Sequence, residues 1–268
     1  MYKFLYSDLS GPRRSEAKSC NAHLKHYNVV ILHRAWSNSG IIDFVMTDSK
    51  LERFYQSGSA KIFLPKTYAP TIEAVLVNTA GGLTGGDEFE VRVGADGATH
   101  LTVSTQTAER VYRALGQKNA KIRVNMMVTG AATLHWLPLE TILFDGAGFS
   151  RHLNVEMDVG ANFLASEMMV FGRTAMQETV RQGSVRDQWR IWCDGRLIHA
   201  EAFRLDGEIF QKLQQKASLA GNVCFALGLC CHLLLQSLRS CEPEKLHCGS
   251  AWVIKKVRLL AIPALQHL

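Results

Sequence analysis

No apolar run in these 268 residues approaches the ~20 residues that a bilayer-spanning helix needs. The longest greasy stretch, Val223 to Leu235, falls well short and reads as a buried core element, which argues against a membrane role. A disulfide framework is missing too: the seven cysteines, at 20, 193, 224, 230, 231, 241 and 248, are odd in number and scattered. The N-terminal residues Met1 to Asp8 reach charge too early for a signal-peptide apolar region, so reduced cytoplasm is the expected compartment. Charge is not one-sided. Thirty Lys+Arg stand against 24 Asp+Glu, a net +6 that is mild and dispersed. Nucleic-acid binding, which needs clustered basic residues, is therefore not expected. A mildly basic docking surface for an acidic partner fits the same balance. Nucleophile and metalloprotease signatures (Gly-x-Ser-x-Gly, His-Glu-x-x-His) are absent as well.

What is present is ordinary globular composition, 47% apolar and 20% charged, with one unusual segment. Leu76-Val-Asn-Thr-Ala-Gly-Gly-Leu-Thr-Gly-Gly-Asp87 begins as an apolar strand and then places Gly81, Gly82, Gly85 and Gly86 before a carboxylate. Glycines at this density permit positive φ and close backbone approach. A phosphate loop is excluded, because Asp87 and Glu88 stand where a Walker loop needs Lys and a hydroxyl. The dinucleotide Gly-x-Gly-x-x-Gly spacing is also absent. A strained turn between strands and a functional role for Asp87 both remain open.

From Lys50 onward the chain reads as β. Leu101 and Val103 alternate with Thr102 and Ser104; Ile122, Val124 and Met126 alternate with Arg123 and Asn125; Leu153, Val155 and Met157 alternate with Asn154 and Glu156. Such period-2 patterning marks half-buried strands. Gly97-Ala-x-x-Leu101, Gly130-Ala-x-x-Leu134 and Gly160-Ala-x-x-Leu164 recur at spacings of 33 and 30 residues. Each reads as a hairpin with a glycine turn, and the alternative is coincidence among common turns. The expected fold is mainly β, with stacked hairpins in solenoid-like layers and a few helices towards the C-terminus. Asp206 could cap a helix carrying Ile209, Phe210, Leu213 and Ala217, the stretch from Cys231 to Leu238 is a second helix candidate, and Val29 to Leu32 a strand. Three regions follow: 1–49 as an N-terminal strand and loop segment, 50–206 as the β core, and 207–268 as a mixed C-terminal segment packing on that core.

The candidate site residues are acids at strand ends: Asp87, Glu140, Asp145, Glu167 and Glu178. If the hairpins stack, Glu140 and Glu167 occupy comparable places, and two carboxylates brought close invite a cation or a shared proton. Pairing with Arg110, Arg113 or Arg173, or capping of turns, is the competing role. His199 and Glu201, two residues apart, share a strand face and could form a ligand or acid–base pair. Cys230, Cys231, His232, Cys241, His247 and Cys248 crowd together but lack zinc-site spacing.

Five stretches carry a family resemblance: the glycine segment, Thr105 to Arg113, Trp136 to Asp145, Glu167 to Arg173, and Asp194 to Ala200. In this order, from about Lys50 to Asp206, they resemble the UreD (UreH) family of urease accessory proteins. The resemblance implies a non-catalytic nickel-delivery scaffold. It would bind apo-urease and join it to a UreF-type adaptor and a UreG-type GTPase, with no tightly bound cofactor and only transient Ni²⁺. Asp87, Glu140 and Glu167 fall on the family's motif positions and become the expected nickel path, with Asp145, Glu178 and His199 as secondary candidates. Departures from the pattern occur at Leu139, at Gln177, and in a C-terminus that is expected to be shortened. The competing class is a β-rich acid–base hydrolase or lyase using Glu140, Glu167 and His199.

Overall fold

The computed structural model describes residues 38–231 apart from 67–70, 117 and 217. Alternating strands dictate two facing sheets, each burying one side. The chain enters through β1 (Ser39–Thr47), β2 (Lys50–Gly58), β3 (Ala60–Phe63) and β4 (Ile72–Asn78). Three coils follow: β5 (Glu88–Asp96), β6 (His100–Thr105) and β7 (Glu109–Val111); β8 (Ala120–Val128), β9 (Thr133–Leu137) and β10 (Thr141–Leu143); β11 (Gly148–Met157) and β12 (Asn162–Phe171). It closes with β13 (Gln182–Cys193), β14 (Arg196–Glu208), a short helix α1 (Ile209–Gln214) and β15 (Cys224–Cys231). The first sheet runs β14-β13-β11-β8-β5-β1-β2; the second runs β3-β4-β6-β9-β12-β10-β7, with β15 paired to β12.

Solenoid-like layering is therefore present, and the unit that stacks is a coil. The strands on either side of Gly97 do not pair with each other, as a hairpin would require. β5 pairs in parallel with β8, and β6 in parallel with β9, one coil along. The Gly-Ala turns are corners that carry the chain from one sheet to the other. They stack as well: Thr129 N donates to Ala95 O at 2.9 Å and Ala131 N to Gly97 O at 3.0 Å. Gly97 and Gly130 both take φ +66. Antiparallel pairing between strands occurs in β1–β2, β3–β4, β13–β14 and β12–β15, with one isolated antiparallel bridge between Arg113 and Ala147.

The third repeat is displaced by one residue. Leu101 stacks on Leu134, but Leu134 stacks on Phe163 rather than Leu164. The corner turns agree: Thr99 N reaches Asp96 O, Ala132 N reaches Thr129 O, and Ala161 N reaches Asp158 O. Val159, not Gly160, thus lies level with Gly130. A one-residue shift turns every following side chain to the opposite face of the sheet, with a direct consequence for the acids described below.

The core lies between the sheets. Phe44, Val93, Val103, Leu134, Phe149, Val155 and Phe163 are buried and face inward. β1 sits between β2 and β5, so part of the segment 1–49 runs inside the first sheet. The helix expected after Asp206 exists as α1, yet Asp206 does not cap it. It remains in β14, where its carboxylate accepts a hydrogen bond from Ser184 Oγ at 2.6 Å. The strand expected at Val29–Leu32, and all but the first residue of the helix expected at Cys231–Leu238, lie outside the described residues. Cys231 itself ends β15. Among the described residues no helix is long and apolar enough to cross a membrane.

Candidate functional site

Between the sheets lies a cavity of about 110 Å³. Its walls are the inward rows of the strands, with Ile42, Leu76, Phe89, Val91 and Val124 supplying apolar surface. The polar lining comprises Asn78, Thr105, Thr107, Glu109, Arg110, Thr141, Arg151 and Glu167. At one end the lining includes exposed Gly81, Arg110 and Leu139; at the other it includes buried Trp136, Arg151 and Glu167.

Glu109 is the polar group that stands out. Parallel pairing sets it level with Thr141, and both line the cavity. Asn78 Nδ2 donates to its two oxygens at 3.1 and 3.3 Å, and Arg110 N donates to Oε1 at 3.2 Å. Burial pushes the Glu109 carboxyl up to about 7, and the Asn78 hydrogen bond only partly offsets it. Such a group changes charge near neutrality and can exchange a proton for a cation.

The glycine loop forms the wall beside it for a steric reason. A Cβ on Gly82 would sit 2.4 Å from the Tyr112 ring and 2.8 Å from Arg110 O, and one on Gly85 would sit 2.5 Å from Lys118 O. The loop passes directly against the next coil, and Leu83 N donates to Arg110 O at 2.7 Å. Asp87 closes the loop. Buried at 2% exposure, its carboxylate accepts from Asn38 N at 2.7 Å and Thr84 N at 2.8 Å. Both oxygens are engaged by backbone, and Asp87 does not line the cavity.

Glu140 and Glu167 do not form a column. Trp136 pairs with Ala165 and Thr141 with Met169, so residues 137–140 oppose only 166–168. The extra residue lies in the Pro138 bend. Glu140 consequently falls level with Met168 and, on the other side, with Ala108. It is half-buried, lies outside the cavity lining, and its side chain has no hydrogen bond or ion pair among the described residues. Glu167 faces inward at 3% exposure. It accepts from Trp136 Nε1 at 2.7 Å and forms a short ion pair with Arg151. Arg151 in turn grips Asp187 through Nε at 3.0 Å and Nη2 at 2.7 Å. Burial pushes the Glu167 carboxyl up while Arg151 pulls it down, with a net upward shift. Glu167 thus belongs to a buried Glu–Arg–Asp triad that ties the two sheets together.

Of the secondary candidates, Asp145 and Glu178 are brought together at the surface, where Asp145 N donates to Glu178 Oε1 at 3.4 Å and both line one concavity, while His199 lies apart at a sheet edge. Asp145 pairs with Arg113 at 2.7 Å and accepts from Arg181 N and Gln182 N at 2.8 and 3.0 Å. Burial alone would raise its carboxyl, but these backbone donors and Arg113 hold it below the usual range. Glu178 pairs with Arg173 at 2.6 Å, and that guanidinium lies 4.2 Å over the Phe144 ring. His199 is half-buried on the edge strand β14; its Nε2 has no hydrogen-bond partner among the described residues, and burial lowers its basicity. Glu140, Glu167 and His199 are not brought together: the first two face opposite ways from one sheet, and the third lies at the edge of the other.

In the cysteine-rich region, burial pushes the Cys231 thiol up to about 12, with Cys230 and Cys193 adding to the shift. It stays protonated at neutral pH and is a poor soft ligand. His232, Cys241, His247 and Cys248 lie outside the described residues. No group of three or more His, Cys, Asp or Glu able to hold a metal occurs among the described residues.

Three important residues escaped sequence reasoning. Glu109 lay inside a quoted motif, yet nothing in the alternation showed that the short strand β7 turns it inward. Arg151 and Asp187 did leave a signal. Each occupies the inward phase of a strand whose neighbours in that phase are apolar: Phe149 and Leu153 for Arg151, Val185 and Trp189 for Asp187.

Comparison with known proteins adds a second line. The family model described as UreD urease accessory protein matches residues 41–262. A protein named urease accessory protein UreD from Rhizobium leguminosarum bv. viciae is 42% identical over 217 residues, covering 80% of this chain and 79% of the relative. The protein of that name from Mesorhizobium japonicum is 48% identical over 180 residues, 66% of this chain and 63% of the relative. That from Rhizobium rhizogenes is 46% identical over 177 residues, 66% of this chain and 64% of the relative. In the last two the matched stretch spans a little under two thirds of the relative's length.

Proposed function

Because this chain belongs to the UreD family of urease accessory proteins, we propose that it is a non-catalytic cytoplasmic scaffold for urease maturation. In this reading it binds apo-urease and links it to a UreF-type adaptor and a UreG-type GTPase. Nickel is cargo, handed through the complex during GTP hydrolysis. The chain carries no nucleotide-binding motif, so GTP turnover belongs to a partner.

The observation that supports the nickel step is the Glu109 carboxyl on the cavity wall, tuned near neutrality by burial. Oxygen ligands hold nickel more weakly than imidazole or thiolate, which suits a group that must release what it binds. Of the three acids expected on the path, Glu167 is the one that reaches the cavity, and it is already engaged by Trp136 and by Arg151, which it shares with Asp187. We assign Asp87 to holding the glycine turn. Glu109 takes the role first given to Glu140.

The test is genetic and quantitative. A strain lacking the protein is expected to lose most urease activity at limiting nickel, and full activity there would overturn the scaffold reading. Affinity purification from native cells should bring urease subunits and a GTPase. Glu109→Leu should preserve that assembly but lower urease activation; unchanged activation with normal assembly would remove Glu109 from the path.

A further inference from the structure

A second concavity lies outside the sheets, where the glycine-rich corners before β5, β8 and β11 stack beside β13. It encloses about 900 Å³ and is lined by Gly86, Gly116, Gly146, Gly148 and Gly183 together with Lys118, Lys121 and Arg186. Backbone hydrogen bonds tie these corners to one another and to β13. Lys121 N donates to Asp87 O at 2.8 Å, Gly146 N to Gln182 O at 2.8 Å, and Ser184 N to Ala147 O at 2.9 Å. The corners touch closely: a Cβ on Gly183 would lie 2.9 Å from Ala147 O, and one on Gly148 would have to displace the Asn119 side chain, whose Oδ1 would be 2.6 Å away. The result is a bare backbone floor with charge along its edge.

That charge is ordered. Strand register aligns Glu88, Lys121, Ser150, Arg186 and Arg204 in one row across five strands. Lys121 and Arg123 both reach the single acid of the groove lining, Glu88, at 2.9 and 3.8 Å, which neutralises it. Lys118 makes no ion pair among the described residues, and Arg186 comes no closer than 4.0 Å to Asp206.

We propose that this groove binds an extended acidic peptide segment of a protein partner. Adjacent strands lie ~4.8 Å apart, so the backbone positions of Lys121 and Arg186, two strands apart, are ~10 Å from each other. A peptide in the polyproline-II conformation advances ~3.1 Å per residue with three residues per turn, which sets acids at positions i and i+3 on one face at about that spacing. The cations are spread along the groove rather than converging on one point, so the geometry favours a chain over a compact oxyanion. The groove is separate from the cavity between the sheets, and its test does not depend on nickel delivery.

The experiment uses the full-length chain and a fluorescein-labelled octaglutamate peptide, read by anisotropy. Saturable binding is expected at about 50 mM salt and should weaken at about 300 mM. The triple variant Lys118→Glu, Lys121→Glu and Arg186→Glu should lose about tenfold in affinity or more. A control with the same net charge, Arg53→Glu, Lys61→Glu and Arg196→Glu, should retain binding. The milder set Lys118→Gln, Lys121→Gln and Arg186→Gln, checked by circular dichroism, replaces the reversal if that variant misfolds. Lack of saturable binding, equal loss in the control, or equally strong competition by a thymidine octanucleotide would each overturn the proposal.

Discussion

Replacing Glu167 with Leu tests whether this acid holds the fold or merely lines a path. In the native structure its two oxygens meet Trp136 Nε1 and Arg151, all of them buried. Leucine orphans the indole N–H, at a cost of about 1–3 kcal/mol. It also removes one of the two anions on a buried guanidinium, and breaking such a pair costs about 3–5 kcal/mol. Arg151 keeps its two-pronged grip on Asp187, so the lower end of that range, about 3 kcal/mol, applies and the total is about 4–6 kcal/mol. For a chain of this size each kcal/mol moves the midpoint by about 2–4 °C, which gives a fall of about 8–24 °C. Glu140→Leu, on the other face and with no side-chain partner among the described residues, should stay within about 0.5 kcal/mol, a degree or two. Thermal unfolding followed by circular dichroism reads both. A fall below about 3 °C for Glu167→Leu, or equal falls for the two variants, would refute the assignment of Glu167 to the triad. Replacing Arg151, Glu167 and Asp187 together by apolar residues should recover much of the loss, because no charge is then left buried alone.

Glu109 makes stability depend on pH. Its carboxyl titrates at about 7 in the fold against 4.5 when unperturbed, so its contribution is fully present below 4.5 and is lost as pH rises through 7. Glu109→Gln should shrink the stability difference between pH 5 and pH 8 by about 3 kcal/mol at most, read from urea midpoints, and an unchanged difference would contradict the burial argument. Gly85→Val, which forces a Cβ to within 2.5 Å of Lys118 O, should destabilise the chain by about 2 kcal/mol or more, read from the same midpoints. The edge strand β2, with exposed Leu51, Phe54 and Tyr55, should drive self-association when the chain is made alone. Co-expression with the adaptor should raise the soluble fraction, and a monodisperse monomer at high concentration would count against that expectation.

Sequence alone determined what local periodicity can determine. Alternation fixed the strands and their inward faces, because side chains in an extended backbone point alternately up and down whatever surrounds them. The glycine segment was legible as a place of close approach, and structure gives the contacts that demand it, Gly82 against Tyr112 and Gly85 against Lys118. The family was legible from ordered motifs. What periodicity could not determine was which strand pairs with which. A glycine corner between sheets and a glycine hairpin leave the same local signature, and only long-range hydrogen bonds distinguish them. Nor could it register the residue gained at Pro138 or the shift of the third repeat, each of which reverses a side chain from inside to outside. Glu140 and Glu167 look alike along the chain, yet one faces outward and the other meets Arg151 in the core. Glu109 became a candidate only when tertiary packing removed water from its carboxyl, since desolvation belongs to the assembled sheets and not to any stretch of sequence.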